Sequence, residues 1–307
     1  MLGPMLTLFL SRSDVSRHTQ ALHLLQELRD TLGAVGAWTS TEHRFAPVGD
    51  RESVVRSGGV PGIPAYAVSV RADPPSSAGP RAVLQLHDGA TGKLLAIMDS
   101  GHLQALRSAL LGALAADVLA RPDARRVAIL GSGAAASGAL KALRLVRSIE
   151  QVQLFDPELA RSFELALTLK GSLAMAVESA DSAAAAVAQA DLVVLTGGVT
   201  LPVDAVQAGT HVTVLGAEAF LECPLPRETV ARARRFRDAP SSSLTWGAPF
   251  DARLGEVLRG EAKGRGAPED VTLFVSVDPP ALDLVAAWHV YQGARHDDQL
   301  PLLDLEA

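Results

Sequence analysis

Residues 126–136, Arg126-Val127-Ala128-Ile129-Leu130-Gly131-Ser132-Gly133-Ala134-Ala135-Ala136, have the order of an apolar strand, a tight turn and a helix start. Gly131 can take the dihedral angles of the turn, and Gly133 leaves room for a pyrophosphate against the backbone. Ala136 is small enough for close packing of helix on strand. The N–H groups of such a helix start, at the positive end of its dipole, attract phosphate. Asp156 ends the next predicted strand, 25 residues after Gly131. A carboxylate there accepts the ribose hydroxyls of a dinucleotide, and it selects NAD because it repels the 2′-phosphate of NADP. The same residues also suit a turn that packs helix on sheet and binds nothing, so bound NAD and no cofactor stand as equal alternatives.

Other chemistry finds little support. None of the eight histidines pairs with another at i, i+4, so no metal site is expected. Cys223 is the single cysteine, which excludes a disulfide within the chain and a multi-cysteine metal site. No G-x-S-x-G elbow occurs, and Cys223 has no evident base beside it. Arg232, Arg234, Arg235 and Arg237 read as a solvated basic face.

The elements that must position the glycine turn follow from hydrophobic spacing. Leu22, Leu24, Leu25, Leu28 and Leu32 predict an amphipathic helix over 21–32, and residues 39–64 read as a loop. Short strands are expected at Tyr66–Val70, Ala82–His87 and Leu94–Met98, then a long Ala/Leu-rich helix capped by Ser100. Arg121-Pro122-Asp123 marks a domain boundary. Beyond it, strands at Arg126–Leu130, Val152–Phe155, Leu192–Thr196 and His211–Leu215 alternate with helices, including Asp181–Ala190. Such alternation predicts a doubly wound parallel sheet, Rossmann-like, covered on both faces. A last helix is expected over 281–291, and a tail over 297–307 that is mobile or used in contacts.

Composition bounds the function. Of 307 residues, 48% are hydrophobic and 20% charged, which predicts a soluble globular protein. Lys+Arg 28 against Asp+Glu 34 gives a net charge of −6, which argues against a nucleic-acid partner. The apolar patch Met5–Leu10 is too short to span a membrane and lacks a leader cleavage site, so a cytoplasmic protein without a membrane partner is expected.

Several stretches in order, namely Gly92-Lys93-Leu94-Leu95-Ala96-Ile97-Met98-Asp99, Leu103-Gln104-Ala105-Leu106-Arg107-Ser108-Ala109, Leu119-Ala120-Arg121-Pro122-Asp123-Ala124-Arg125, the glycine turn, Leu254-Gly255-Glu256-Val257-Leu258-Arg259-Gly260 and Thr272-Leu273-Phe274, resemble the ornithine cyclodeaminase/mu-crystallin family. The resemblance implies a homodimer of two-domain chains. Residues 1–121 with 281–307 would form a smaller α+β substrate and dimerisation domain, and residues 122–280 the dinucleotide-binding-type domain. It also implies that Arg107 grips a substrate carboxylate, that Arg44 supplies a second contact, and that Glu218 stands for an aspartate that activates water or orients an amine.

The departures from the family bear on function. Residues 1–92 contain no lysine, although the family carries one on the strand equivalent to Tyr66–Val70. Tyr66 is the candidate replacement as proton donor. Val275 stands at a second lysine position, Ser276-Val277-Asp278 replaces Ser-Leu-Gly, and Ala135 replaces a glutamine. Loss of several cooperating groups leaves little catalysis. The sequence therefore favours a non-catalytic member that binds an amino-acid-like ligand or a peptide in its cleft and assists partner enzymes of a biosynthetic pathway. The alternative is an NAD-dependent oxidoreductase (an imine or ketimine reductase, an amino-acid dehydrogenase or a cyclodeaminase) that works through Glu218 and Tyr66.

Overall fold

The computed structural model describes residues 6–34, 36, 38–45, 53–72, 81–216, 223–239 and 249–304. In chain order it runs β1 (Leu6–Leu10), α1 (Arg12–Arg17), α2 (Ala21–Gly33), β2 (Thr39–Phe45), β3 (Ser53–Gly59), β4 (Ala65–Ala72), β5 (Arg81–Asp88), β6 (Leu94–Asp99) and α3 (Ser100–Leu119). Then follow β7 (Arg126–Leu130), α4 (Ala134–Val146), β8 (Gln151–Phe155), α5 (Leu159–Leu173), β9 (Ala176–Ser179), α6 (Ala183–Val187), β10 (Leu192–Leu195) and β11 (His211–Val214). The last elements are α7 (Arg227–Arg232), β12 (Arg234–Arg237), β13 (Ala252–Arg253), α8 (Leu254–Leu258), β14 (Thr272–Val275), α9 (Pro280–Ala294) and β15 (Leu302–Asp304).

The fold is α/β, in two compact units: Met1–Arg107 with Pro279–Ala307, and Ser108–Asp278. The first break lies inside α3, upstream of the Arg121-Pro122 break read from the sequence. Arg107 is tied to Asp283 of α9, whereas a side chain at Gly112 would meet Thr213 and Leu215 at the end of β11. The helix thus serves both units, and a chain break after its last turn is no guide to packing.

In the first unit the sheet order is β15-β1-β6-β5-β4-β3-β2, antiparallel except for the β1–β6 pair. Alternation decides its faces. Ala65, Ala67 and Ser69 of β4 are buried, while Tyr66 and Val70 are exposed. The helix α9 packs on β3 and β4. It approaches so closely that a Cβ at Gly58 would lie 2.4 Å from the Pro280 carbonyl, which is why glycine stands there. The loop expected over 39–64 is instead largely the β2–β3 hairpin: β2 is an edge strand whose polar residues conceal the alternation. Of the two expectations for the tail, mobile or used in contacts, the second holds for Leu302–Asp304, which adds β15 to the free edge of β1. Ser100 does not cap α3; Asp99 does, accepting from His102 N at 2.8 Å.

The second unit has the order β13-β12-β14-β11-β10-β7-β8-β9, with every described pair parallel. All residues of β10, β11 and β14 are buried, as strands covered on both faces require. Strand order reverses between β7 and β10, and ligands of doubly wound folds bind beyond the carboxyl ends of the strands at that point.

Candidate functional site

The glycine turn lies at this reversal. Gly131 has φ +103°, and a Cβ there would sit 2.8 Å from Thr196 Oγ1 and 2.9 Å from Gly197 N, so the turn admits only glycine. Thr196 Oγ1 lies 3.3 Å from the carbonyls of both Leu130 and Gly131, joining the end of β10 to the turn. Gly133 begins α4 with no side-chain cap and no acidic residue in the first turn, and a Cβ there would meet nothing within 4 Å. Ala136 is fully buried beneath the helix start.

Asp156 is placed at the end of β8 by the β7–β8 pairing and is already aimed. Its Oδ2 accepts from Ser132 N at 2.9 Å and its Oδ1 from Glu158 N at 3.0 Å. Ser132 Oγ is buried without a hydrogen-bond partner. An uncapped helix start, an orphaned hydroxyl and a fixed carboxylate fit the pyrophosphate and ribose of NAD. The structure thus brings Gly131, Gly133, Ala136 and Asp156 together.

Arg107 lies in the other unit, 1% exposed. Its Nε and Nη2 donate to Asp283 Oδ1 at 3.0 and 2.7 Å, and Asp283 is 2% exposed. Burying either charge alone would cost several kcal/mol, so each holds the other in place. Asp283 was legible as the one acid in a predominantly apolar helix, a pattern that calls for a buried partner. Arg44 projects from β2 and donates to Glu42 at 2.6 Å. Burial pushes the Glu42 carboxyl up, but Arg56 and Arg44 outweigh it and hold it below the usual carboxylate range.

Ser40 Oγ accepts from the α9 residue Ala281 at 3.1 Å, so the even-numbered residues of β2, Arg44 among them, share the sheet face that α9 covers. Arg107 is on that side through Asp283. Tyr66 is on the other face, stacked on His87 with ring centroids 4.9 Å apart. The α9 side of β4 carries Ala65, Ala67, Ser69 and Arg71, without a lysine. Glu218 lies outside the described residues.

Sequence reasoning missed a polar cluster at the carboxyl ends of β12 and β14. Asp238 is 2% and Ser276 0% exposed, and Asp278 has φ +51°. Ser276 Oγ is 2.8 Å from both Asp238 Oδ2 and Asp278 Oδ1, and Ser108 Oγ donates to Asp278 Oδ1 at 2.7 Å. The basic cluster is also bound rather than solvated: Arg232 donates to the Val206 carbonyl, Arg234 to that of Lys263 at 2.9 Å, Arg235 pairs with Asp251, and Arg237 lies over Phe250. Among the described residues no group of three or more His, Cys, Asp or Glu side chains could hold a metal ion, and no helix is long and apolar enough to cross a membrane.

Comparison with known proteins places these observations. The chain is 27% identical over 229 residues to the Δ1-pyrroline-2-carboxylate reductase of Bacillus cereus, covering 69% of this chain and 70% of that one. The Thermococcus litoralis Δ1-pyrroline-2-carboxylate reductase, solved with NADH and L-proline, superposes with TM-score 0.85 at 23% identity over 94% of this chain and 98% of that one. The iminosuccinate reductase of Paracoccus denitrificans, solved with NAD+, gives TM-score 0.86 at 20% identity over 98% and 100%. The expectation of a non-catalytic member that binds a ligand or peptide is corrected by these findings, because the curated proteins similar to this chain are named as enzymes: the reductase of Bacillus cereus, an alanine dehydrogenase of Archaeoglobus fulgidus and an ornithine cyclodeaminase of Agrobacterium tumefaciens. The absent lysine removes one proton-carrying side chain, not the dinucleotide turn or the buried arginine. Residues 67–298 match the ornithine cyclodeaminase/mu-crystallin family, and the chain belongs to it.

Proposed function

We propose that the protein is an NAD-dependent oxidoreductase that interconverts an imine bearing an adjacent carboxylate and the corresponding amino acid. The observation that carries this reading is the Gly131 turn, with Asp156 tied to it at the reversal of strand order. Its support among relatives is the reductase of Bacillus cereus, whose name specifies such an imine. Bound nicotinamide supplies or accepts a hydride. The first N–H groups of α4 and Ser132 Oγ hold the pyrophosphate, and Asp156 holds the adenosine ribose.

Arg107 is the residue for the substrate carboxylate, because a guanidinium presents five N–H donors in a rigid fork. Asp283 fixes the orientation of that fork. Arg44 is the second carboxylate contact, and Glu218 the group that orients the nitrogen. Tyr66 takes no catalytic part in this reading. It belongs with Phe9, Val70 and Val83 to the outer face of the seven-stranded sheet, where these four are 37%, 45%, 42% and 46% exposed in that order. A second copy of the chain covers this apolar face.

Titration of the purified protein with NADH, followed by nicotinamide fluorescence, tests the reading. The wild type should bind at micromolar concentration, and Asp156→Ala should weaken binding by about tenfold or more, as loss of a charged hydrogen bond implies. Absence of binding at millimolar NADH rejects the reading. Light scattering on the same sample should give the mass of a dimer.

A further inference from the structure

The row of the seven-stranded sheet that contains Arg44 continues across its neighbours. The pairs Arg44↔Val54, Val54↔Arg71 and Arg71↔Ala82 join β2, β3, β4 and β5 in register. Residues directly opposite each other in antiparallel strands share a face, so Arg71 lies on the α9 side with Arg44. Two strand spacings, about 10 Å, separate their backbones. Val54 and Ala82 flank Arg71 with short side chains, and Ala65, Ala67 and Ser69 complete this side of β4. Among the described residues, this side of β2, β3 and β4 sets three guanidinium groups, Arg44, Arg56 and Arg71, against the one carboxylate of Glu42.

The same row leads to an unbonded donor. β5 pairs with β6 through Val83↔Asp99, which brings the next residue, Ser100, level with Ala82 at the start of α3. Ser100 is 0% exposed, and its Oγ has no hydrogen-bond partner. A buried hydroxyl left unbonded is destabilising, and an acceptor held beside it removes that cost. The neighbouring acid, Asp99, is opposite Val83 and belongs to the other face, where it accepts from His102 N. Arg71 and Ser100 thus stand on either side of Ala82, one a permanent cation and the other a hydroxyl without an acceptor.

The number of donors points to their ligand. A carboxylate offers about four acceptor positions, and a guanidinium fork fills two of them. Arg107 and Arg44, in the roles given above, complete one carboxylate. Arg71 is a third fork on the same side of the same unit. Each of the three also interacts within the protein, which five N–H donors per guanidinium allow.

We propose that Arg71 and Ser100 form a subsite for a second carboxylate, and that the substrate is the imine of an amino dicarboxylic acid. The reaction rests on the oxidoreductase reading; the binding of the dicarboxylate does not. The second carboxylate lies over Ala82, where it accepts from the Arg71 fork and from Ser100 Oγ, and the short side chains of Val54 and Ala82 leave room for the carbons that join it to the first. Arg71 determines the specificity. A substrate with an apolar side chain satisfies neither group, and one with a cationic side chain is repelled by the guanidinium.

Calorimetry with L-aspartate and L-glutamate against L-alanine and L-proline, with and without NAD, tests the subsite. The wild type should bind the better dicarboxylate at least about tenfold more tightly than either monocarboxylate. Arg71→Gln keeps the length of the side chain without its charge, and should lower this ratio by about tenfold or more, as loss of a charge-assisted pair implies. Ser100→Ala should lower it several-fold without lowering the melting point. A merely structural role for Arg71 would weaken both kinds of ligand alike. An unchanged ratio in Arg71→Gln therefore overturns the subsite, as does wild-type protein that binds no dicarboxylate at millimolar concentration or prefers a monocarboxylate. Incubation of the same amino acids with NAD, read as NADH absorbance, separates this inference from the reading it extends. If the dicarboxylate binds with the expected ratio but no NADH forms, the oxidoreductase reading falls and the subsite stands.

Discussion

The two ends of the eight-stranded sheet spend their polar groups in opposite ways. At the amino ends of the strands, Asp191 is 6% exposed and fully engaged. It accepts from the backbone N–H of Arg125 and Arg126, each at 3.0 Å, and from Nη2 of Arg121 and Arg126 at 2.8 and 3.0 Å. Burial pushes its carboxyl up, but Arg126 and the two backbone donors outweigh this and hold it below the usual carboxylate range. At the carboxyl ends, Ser132 Oγ is buried without a partner. A cavity of ≈ 350 Å³ opens at the amino ends beside Arg126, Gln151 and Gln189, larger than anything needed for a few waters. Its lining arginine is already bound to Asp191. Unspent hydrogen-bonding capacity, not empty volume, marks the functional end.

Acidification should break the amino end first and by the largest amount. His211 is fully buried between Thr272 Oγ1 and Thr213 Oγ1 at 2.9 and 3.0 Å. Burial, with Arg265 and Arg147 adding to it, lowers its pKa to about 3 from 6.5. Below pH about 6.5 the unfolded chain takes up this proton and the folded chain does not, so stability falls with pH until about 3. The loss reaches on the order of 4 kcal/mol. Denaturant melts between pH 7 and 4 should show the midpoint falling steadily; a flat profile would contradict the buried neutral imidazole.

Asp191→Ala is the next largest. It leaves the Arg121 and Arg126 guanidinium groups and two N–H groups without their acceptor, and should cost about 3 kcal/mol. Thermal melting reads this loss, and NADH affinity measured below the melting range should not change. A loss of affinity without a loss of stability would reverse the assignment of the two ends. The smallest effect is expected at the carboxyl end: Ser132→Ala removes an unbonded hydroxyl and should leave the melting point unchanged, while NADH binding weakens several-fold. If Ser132→Ala instead destabilises the fold, its hydroxyl belongs to the same structural class as Asp191.

The parallel unit was largely legible in the sequence. Each of its central strands is a short apolar run, and the glycine turn and Asp156 sit within a single β–α–β stretch whose geometry depends on near neighbours. The antiparallel unit was less so. The hairpin β2–β3 is written in Thr, Ser, Glu, His and Arg, which say little until a partner strand covers one face. Arg107 was legible as a residue type at a recognisable position, but its partner Asp283 is 176 residues away.

By itself the sequence determined the dinucleotide-type turn, the acid that favours NAD, the absence of lysine before residue 93 and the family resemblance. These depend on residue identity and on spacing along one strand, one turn and one helix. Only the tertiary structure decided that Tyr66 faces away from the α9 side and that Arg107 is held by Asp283. It also brought Ser276 Oγ within 2.8 Å of Asp238 Oδ2, 38 residues away, and of Asp278 Oδ1. Strand order sets such meetings, and it follows from how whole elements bury their faces, which no local run of residues encodes.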